Sequence, residues 1–577
     1  MPKRTGGAVH VATIKTRYKD REYTSRILRR SFRENGKVKH ENLGNLSHLP
    51  EQTIEVLRRS LAGEVLVGAN DVFQVERSLP HGHVAAVLGV LRDLDLERLL
   101  GRESCRQRDL IVALICQRLL RAGSKLSATR CFDKTTLGEC LGLGEVKEAE
   151  LMAALDWLGE RQDRIERTLA RRHLSGDGFA LYDLSSSYVE GRCCPLAALG
   201  YSRDKKRGKA QITYGLVCAP DGRPVSIRVH PGNSNDASTL PDAVTRVREQ
   251  FGVKDLVMVG DRGMITQARV TALKEAGVGF VTSLTAPQIA KMRVGYWQLS
   301  LFDESGLAEI TSPDYPEERL VVCRNPAVAA ERARKREELL AATQIELEKI
   351  EASVHGPRGQ LKNADAAKIG QRAGKVIGKY KMAKHFDLTI GDRRFGYTRK
   401  TEQIADEALL DGIYVLRTDQ TARRLSGPAI VRVYKQLKVA ESAFNAMKSP
   451  EIEIRPIHHY LETRVRAHVF LCMLAYYVQF ELRLRLKPLL FDDPAPRAPV
   501  CPVKPAERSP TALLTAATKT TPDGFVAHDL PDLLTDLGTL SRNTIRIATS
   551  QTTFKQLTTP TPLQARAFEL LNLKLAL

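Results

Sequence analysis

Polar and apolar side chains alternate from residue 8 to about residue 48, as in Tyr23-Thr-Ser-Arg-Ile-Leu-Arg-Arg-Ser-Phe-Arg-Glu-Asn-Gly36-Lys-Val-Lys-His. A two-residue period centred on a glycine predicts a β-hairpin. From about 50 to 174 apolar residues recur three and four apart, in Val84-Ala-Ala-Val-Leu-Gly-Val-Leu91 and Leu110-Ile-Val-Ala-Leu-Ile-Cys-Gln-Arg-Leu-Leu120. That spacing predicts an all-helical unit. Between 177 and 285 the order becomes strand, strand, strand, helix, strand, helix, strand. The pieces are 179–184, 210–218 ending at the turn Pro220-Asp-Gly-Arg, 224–230, the helix 237–251, 255–260, the helix 266–276, and 279–284. A hairpin-rich start followed by alternating elements gives a mixed sheet covered by helices.

That order is the core of the ribonuclease-H-like fold. An interruption follows, from 286 to 425, with strand-like pieces at Tyr296-Trp-Gln-Leu-Ser-Leu-Phe302 and Leu320-Val-Val-Cys323 and a charged helix over Ala327–Ala352. Its size makes it more than a loop, since structureless loops beyond ~12–15 residues are uncommon. A second helical stretch follows, around Glu441. Seven prolines in 488–510 mark a linker, and a last helix opens with Thr561 as cap and Pro562 in its first turn. The predicted architecture is therefore multidomain, α+β and α/β. It comprises a basic hairpin over 1–48, a helical unit for DNA binding or dimerisation over 49–175, and a catalytic domain over 176–487 that carries the insertion 286–425. The linker 488–510 and a C-terminal tail over 511–577 follow.

Charge narrows the partner. The 577 residues carry 88 Lys+Arg against 67 Asp+Glu, a net +21, and residues 1–40 alone hold twelve Lys/Arg against three acids. Such a surplus favours a polyanion over a neutral metabolite. The ten cysteines form no C-x-x-C pair, which suits reduced thiols and a cytoplasmic setting, associated with the nucleoid when bound to DNA. Met-Pro-Lys-Arg-Thr-Gly-Gly is not the start of a secretion signal. The apolar run Val469–Val478 is ten residues long, half of what a membrane span needs (~20 residues), and reads as a buried helix.

Three acids stand out against this background. Asp183 ends Phe179-Ala-Leu-Tyr-Asp183, Asp261 ends Leu256-Val-Met-Val-Gly-Asp261, and Glu441 lies in the helical stretch from Tyr434. Two strand-end carboxylates and one on a later helix can converge on a point that only a cation makes tolerable, a divalent-metal site for phosphoryl transfer. At ~100° per residue, Tyr434, Lys438, Glu441, Asn445 and Lys448 share one quarter of their helix. Val433, Leu437, Ala440, Phe444 and Met447 form the adjoining apolar stripe. Asp236 is read as the cap of a helix starting at Ala237. A haloacid-dehalogenase-type phosphatase would need a second Asp where Ser185 stands. The paired histidines of Arg455-Pro-Ile-His-His-Tyr460 are read as hydrogen-bonded structure.

The motifs Gly200-Tyr-Ser-Arg-Asp-Lys-Lys, Gly215-Leu-Val, His230-Pro-Gly-Asn-Ser-Asn-Asp236, Gly260-Asp-Arg-Gly-Met and Tyr434…Glu441…Phe444…Lys448 resemble, over about 177–480, the DDE transposases of bacterial insertion sequences. The nearest likeness is to the branch marked by Tyr-x2-Arg-x3-Glu-x6-Lys on the Glu helix. The Arg position is Leu437 here, with Lys438 beside it to supply charge. The resemblance implies Asp183, Asp261 and Glu441 as catalytic metal ligands for two Mg2+ ions, with Mn2+ able to substitute. It also implies that Tyr434, Lys438, Lys448, Arg203, Lys205 and Lys206 contact DNA, and that Trp297 stacks on a flipped base. The expected partners are element ends and target DNA, with a homodimer or larger assembly on DNA and neither a membrane nor a small-molecule substrate. A catalytically silent DNA-binding regulator and a general nuclease of the same fold are the competing readings.

Overall fold

The structure is a computed structural model. It describes residues 7–575 apart from 20, 35, 65–71, 175–177, 297–305, 494–502, 504–507 and 548–551. The chain forms two compact units, Met1–Leu79 with Ser541–Thr558, and Pro80–Leu540 with Thr559–Ala576.

In the first unit the alternating stretch makes three antiparallel strands, β1 (Ala8–Tyr18), β2 (Arg21–Glu34) and β3 (Lys37–Asn45), where a single hairpin was expected. The second reversal, with Tyr18 opposite Arg21, has no glycine to announce it. Lys19 takes a positive φ of 44° there, an uncommon conformation for a non-glycine residue. The helix Glu51–Leu61 buries Ile54 in this unit. A second sheet joins β4 (Phe73–Pro80) to two strands from the tail, Ser541–Ile547 (β15) and Thr553–Leu557 (β16), in the order β16-β15-β4.

The second unit is built on an eight-stranded mixed sheet. Its first strands are β5 (Phe179–Tyr188), β6 (Gln211–Cys218), β7 (Pro224–Pro231), β8 (Val257–Val259) and β9 (Gly279–Ser283). β5 pairs antiparallel with β6 and parallel with β8, and β8 pairs parallel with β9. This β7-β6-β5-β8-β9 order fits the core read from the sequence. β5 continues past the expected end at residue 184, because β6 is long enough to pair Ser185, Ser186 and Ser187 with Tyr214, Thr213 and Ile212. Gly215 on β6 makes room for the Tyr182 ring, since a Cβ there would lie 2.3 Å from the phenol oxygen. After β7 the helix Asp236–Thr245 is capped by Asn235, whose side chain accepts from the Ser238 amide; Asp236 is its first residue and not its cap.

The stretch expected as one insertion divides in two. Strands β10 (Leu307–Ile310), β11 (Arg319–Arg324) and β14 (Ile413–Thr418) extend the main sheet beyond β9, in the order β10-β11-β14-β9. Between β11 and β14 lies a module with its own core. The helices Pro326–His355 and Ala366–Tyr380 pack around Leu347, Ile369, Ile377 and Phe395 with the hairpin of β12 (Phe386–Gly391) and β13 (Arg394–Arg399). The strand-like piece expected at 296–302 begins on Tyr296, the last residue of a helix from Ala286, and its remainder, Trp297 included, lies outside the described residues.

Helices cover the sheet. Glu462–Leu486 is buried along most of its length and carries the apolar run Val469–Val478 through the main core, packed against Arg106–Arg121, Glu148–His173 and β7. Among the described residues no helix is long and apolar enough to cross a membrane. The closing helix Pro562–Leu571 starts with a capping box formed by Thr561 and Gln564.

Candidate active site

Asp183 sits in the middle of β5, partly buried, with one carboxylate oxygen accepting from the Leu184 amide at 2.8 Å. Asp261 lies just past β8, next to β5 in the sheet, and is exposed. Its Oδ1 accepts from the amides of Gly263 at 2.7 Å and Met264 at 3.1 Å, which fixes the turn. The glycine before it serves packing, because a Cβ at Gly260 would stand 3.1 Å from Ile265 Cδ1.

Glu441 comes from a helix laid on β5. The expected continuous helix from Tyr434 is two, Gly427–Lys435 and Leu437–Lys448, with a turn at Gln436 between them. The second buries Leu437, Ala440, Ala443, Phe444 and Met447. Phe444 meets Tyr214 of β6 edge-on with ring centres 5.6 Å apart. This packing leaves Glu441 exposed on the other side.

Asp183 feels the other two acids. Burial first, and then the charges of Asp261 and Glu441, push the Asp183 carboxyl up from 3.8 to about 7, against the Leu184 amide and Arg203. Even so, no group of three or more His, Cys, Asp or Glu among the described residues is gathered tightly enough to hold a metal ion. The two facts concern different ranges, since charges act over many ångström whereas Mg2+ needs oxygens at ~2.0–2.1 Å. By chemistry alone carboxylate oxygens suit a hard divalent cation, and a positive charge nearby would lower the raised Asp183 carboxyl.

The expected DNA-contacting residues fall into two groups. Lys438 is exposed near Glu441. The loop after Tyr201 exposes Lys205 and Lys206 and keeps Arg203 half-buried, with its amide bonded to Ser186 Oγ at 3.1 Å. Tyr434 turns inward instead and donates to Ser283 Oγ at 2.8 Å. Lys448 is also drawn in, to 10% exposure, and its ammonium binds Asp204 Oδ1 at 2.9 Å. Arg455 reaches the same carboxylate at 2.6 Å, and Asp204 itself is 2% exposed. Sequence reasoning passed over Asp204, although an acid set among Arg203, Lys205, Lys206, Arg207 and Lys209 needs some such partner. Arg262, exposed beside Asp261, was also passed over, and its charge acts on Tyr434.

Two family models match the chain. That of the transposase DDE domain covers residues 191–478, and that of the IS1634 family transposase N-terminal domain covers 11–70. No curated protein matches. Among solved structures, the piggyBac transposase synaptic complex with hairpin DNA is 10% identical and aligns over 70% of this chain and 79% of that one. Its TM-score of 0.26 is too low to argue from.

Proposed function

The chain belongs to the DDE transposases of insertion sequences, and on that footing we propose that it binds the ends of its element, cleaves them and joins them to target DNA. The β7-β6-β5-β8-β9 sheet is read as a ribonuclease-H-like core with Asp183, Asp261 and Glu441 as its catalytic and metal-holding residues. The observation that supports this reading is the placement of Asp183 on β5, Asp261 just past the adjacent β8 and Glu441 on the helix packed against β5, with the charges of the latter two raising the Asp183 carboxyl. Those three residues would hold two divalent ions, Mg2+ with Mn2+ as substitute. Bound there, the ions would activate a water or a DNA 3′-hydroxyl and steady the leaving oxygen.

The protein's own groups do the rest. Lys438 and the loop bearing Arg203, Lys205 and Lys206 hold DNA phosphates beside the carboxylates. Asp204 fixes that loop by binding Lys448 and Arg455, so Lys448 acts through the loop. Tyr434 sets the first Glu-side helix against β9 through Ser283. Joining two ends in one event calls for two active sites in fixed relation, most simply a two-fold dimer on DNA.

The test is Mg2+- or Mn2+-dependent nicking of a labelled element end, run beside a gel shift. Asp183→Ala, Asp261→Ala and Glu441→Ala should each abolish nicking and keep end binding. Wild-type cutting by any one of them removes that residue from the set, and no cutting by the wild type leaves the silent-regulator reading.

A further inference from the structure

The helical part of the second unit buries a lysine that has no acid within ion-pair distance among the described residues. Lys125, 6% exposed, opens the short helix Lys125–Thr129. Its Nζ lies 3.0 Å from Nδ1 of His468. The other ring nitrogen of His468 faces the Ile454 carbonyl at 3.0 Å. A carbonyl only accepts, so Nε2 carries the ring proton and Nδ1 accepts from the lysine. One of the three donors of Lys125 therefore goes to a neutral ring. Arg118, 3% exposed, is next to it. Its Nη1 donates to the carbonyls of Ile452 and Glu453, and its Nε is buried without a partner. Fully buried lysines are rare unless paired, and a buried polar group left unsatisfied calls for a missing partner.

Both side chains line a cavity of about 570 Å³ whose wall also includes His459, His468 and Arg464. Acids answer this charge in part. The Glu453 carboxylate, 43% exposed, pairs with Arg118 at 3.8 Å, and Asp156 pairs with Arg464 at 2.9 Å, which leaves Lys125 and the buried Nε of Arg118 unanswered among the described residues. The other basic groups suffer as Lys125 does. Burial, and then the charges of Lys125 and Arg118, hold His468 well below its ordinary range and His459 at about 3. The Lys125 ammonium is likewise destabilised by burial and by Arg118. What Lys125 and the Arg118 Nε lack is an acceptor that carries negative charge.

We propose that this cavity binds a phosphate group, held by Lys125 and Arg118 inside and by His459 and Arg464 nearer the opening. An ammonium and a guanidinium together match an anion with several oxygens, and the volume falls in the ~300–1,000 Å³ range of ligand pockets. The site is separate from the three carboxylates. Val189, which bridges to Ile457 on the segment lining the cavity, is six residues along from Asp183, roughly 20 Å at ~3.3 Å per residue. The phosphate can come from a free nucleotide or from a DNA strand, and the inference does not depend on catalysis by the carboxylates.

The full-length protein, free of divalent ions at pH 7, is titrated calorimetrically with inorganic phosphate and with a deoxynucleoside 5′-monophosphate, in two buffers of different ionisation enthalpy. Binding is expected with proton uptake, seen as heat that differs between the buffers, because the anion restores charge to the suppressed basic groups. Lys125→Met should weaken binding at least tenfold and remove the proton uptake. Arg464→Gln, at a position 25% exposed, should weaken it severalfold, and it serves if the Lys125 variant does not fold. Displacement of bound phosphate by a short duplex assigns the site to DNA, and retention in its presence assigns it to a free nucleotide. No binding of either probe to the wild type, or equal binding to wild type and Arg464→Gln and proton uptake unchanged, overturns the proposal.

Discussion

A carboxyl that titrates at about 7 in the folded chain, against an ordinary 3.8, ties stability to pH. Between those values the folded protein keeps a proton on Asp183 that the unfolded chain has released. Stability is therefore complete below about 4 and falls as pH rises through about 7. In the absence of divalent ions the melting temperature should decline over that window. Asp183→Asn should flatten the decline, and so should Mg2+; a wild-type profile parallel to that of Asp183→Asn would show that the burial and repulsion at Asp183 are not felt. Lys448 gives the opposite lesson. Its spacing from Glu441 suggested a DNA contact, but the helix angle says only which face a residue occupies and not what packs upon it. In the fold the Lys448 ammonium meets Asp204, while Lys438 and Glu441 on the same face stay exposed. Lys448→Ala leaves an Asp204 side chain that is 2% exposed with Arg455 and the Tyr188 amide, and because those partners remain the loss should lie at or below the low end of the about 3–5 kcal/mol for a buried pair broken outright. Denaturant melts should show a loss of that order, and a variant of wild-type stability with weakened DNA binding would return Lys448 to direct contact.

Elements were legible where their sequence signal is local. Strands β5 to β9 and the helices between them follow from short apolar runs and their spacing, and so does the helix over Pro326–His355. Pairing is not local. Leu320-Val-Val-Cys323 reads as a strand, but nothing in those residues says that β11 adds to the main sheet beside β14, 89 residues later by the register of Arg324 with Ile413. The turn at Gln436 escaped for a related reason. Both flanking helices share an apolar face, and a one-residue interruption scarcely disturbs the period. The register makes a prediction. Because Arg324 stands directly opposite Ile413, the module between them leaves and rejoins the sheet at one place, so Asn-Gly replacing residues 325–412 should close β11 and β14 as a two-residue hairpin. The shortened protein should keep a cooperative melt and lose helical signal in circular dichroism. The module over 326–408 should fold alone around its separate core. Aggregation of the first and a structureless spectrum for the second would mean that the two parts fold only together.

At the scale of the whole chain, the charge surplus was visible at once and its placement was not. Nine of the twelve Lys/Arg among residues 1–40 lie in the strands of a three-stranded sheet, from Lys15 to Lys39, where they are exposed or half-buried, and Val11 is the buried apolar residue among the described residues of these strands. Some of the charge is answered within the unit, as Lys15 pairs with Glu22, Lys39 with Glu34, Arg30 with Glu41 and Arg26 with Glu51. These are mostly exposed pairs, which contribute at most ~1 kcal/mol each and open readily to a competing phosphate. A sheet with so little core and so much cation has the charge to take a polyanion. Removing residues 1–48 should therefore weaken binding to element ends and reduce the slope of log K against log salt by about 0.9 for every phosphate that those residues neutralise. Binding is measured by fluorescence anisotropy from low to moderate salt. A slope unchanged by the deletion would mean that these charges face solvent in the complex and that the second unit holds the DNA by itself.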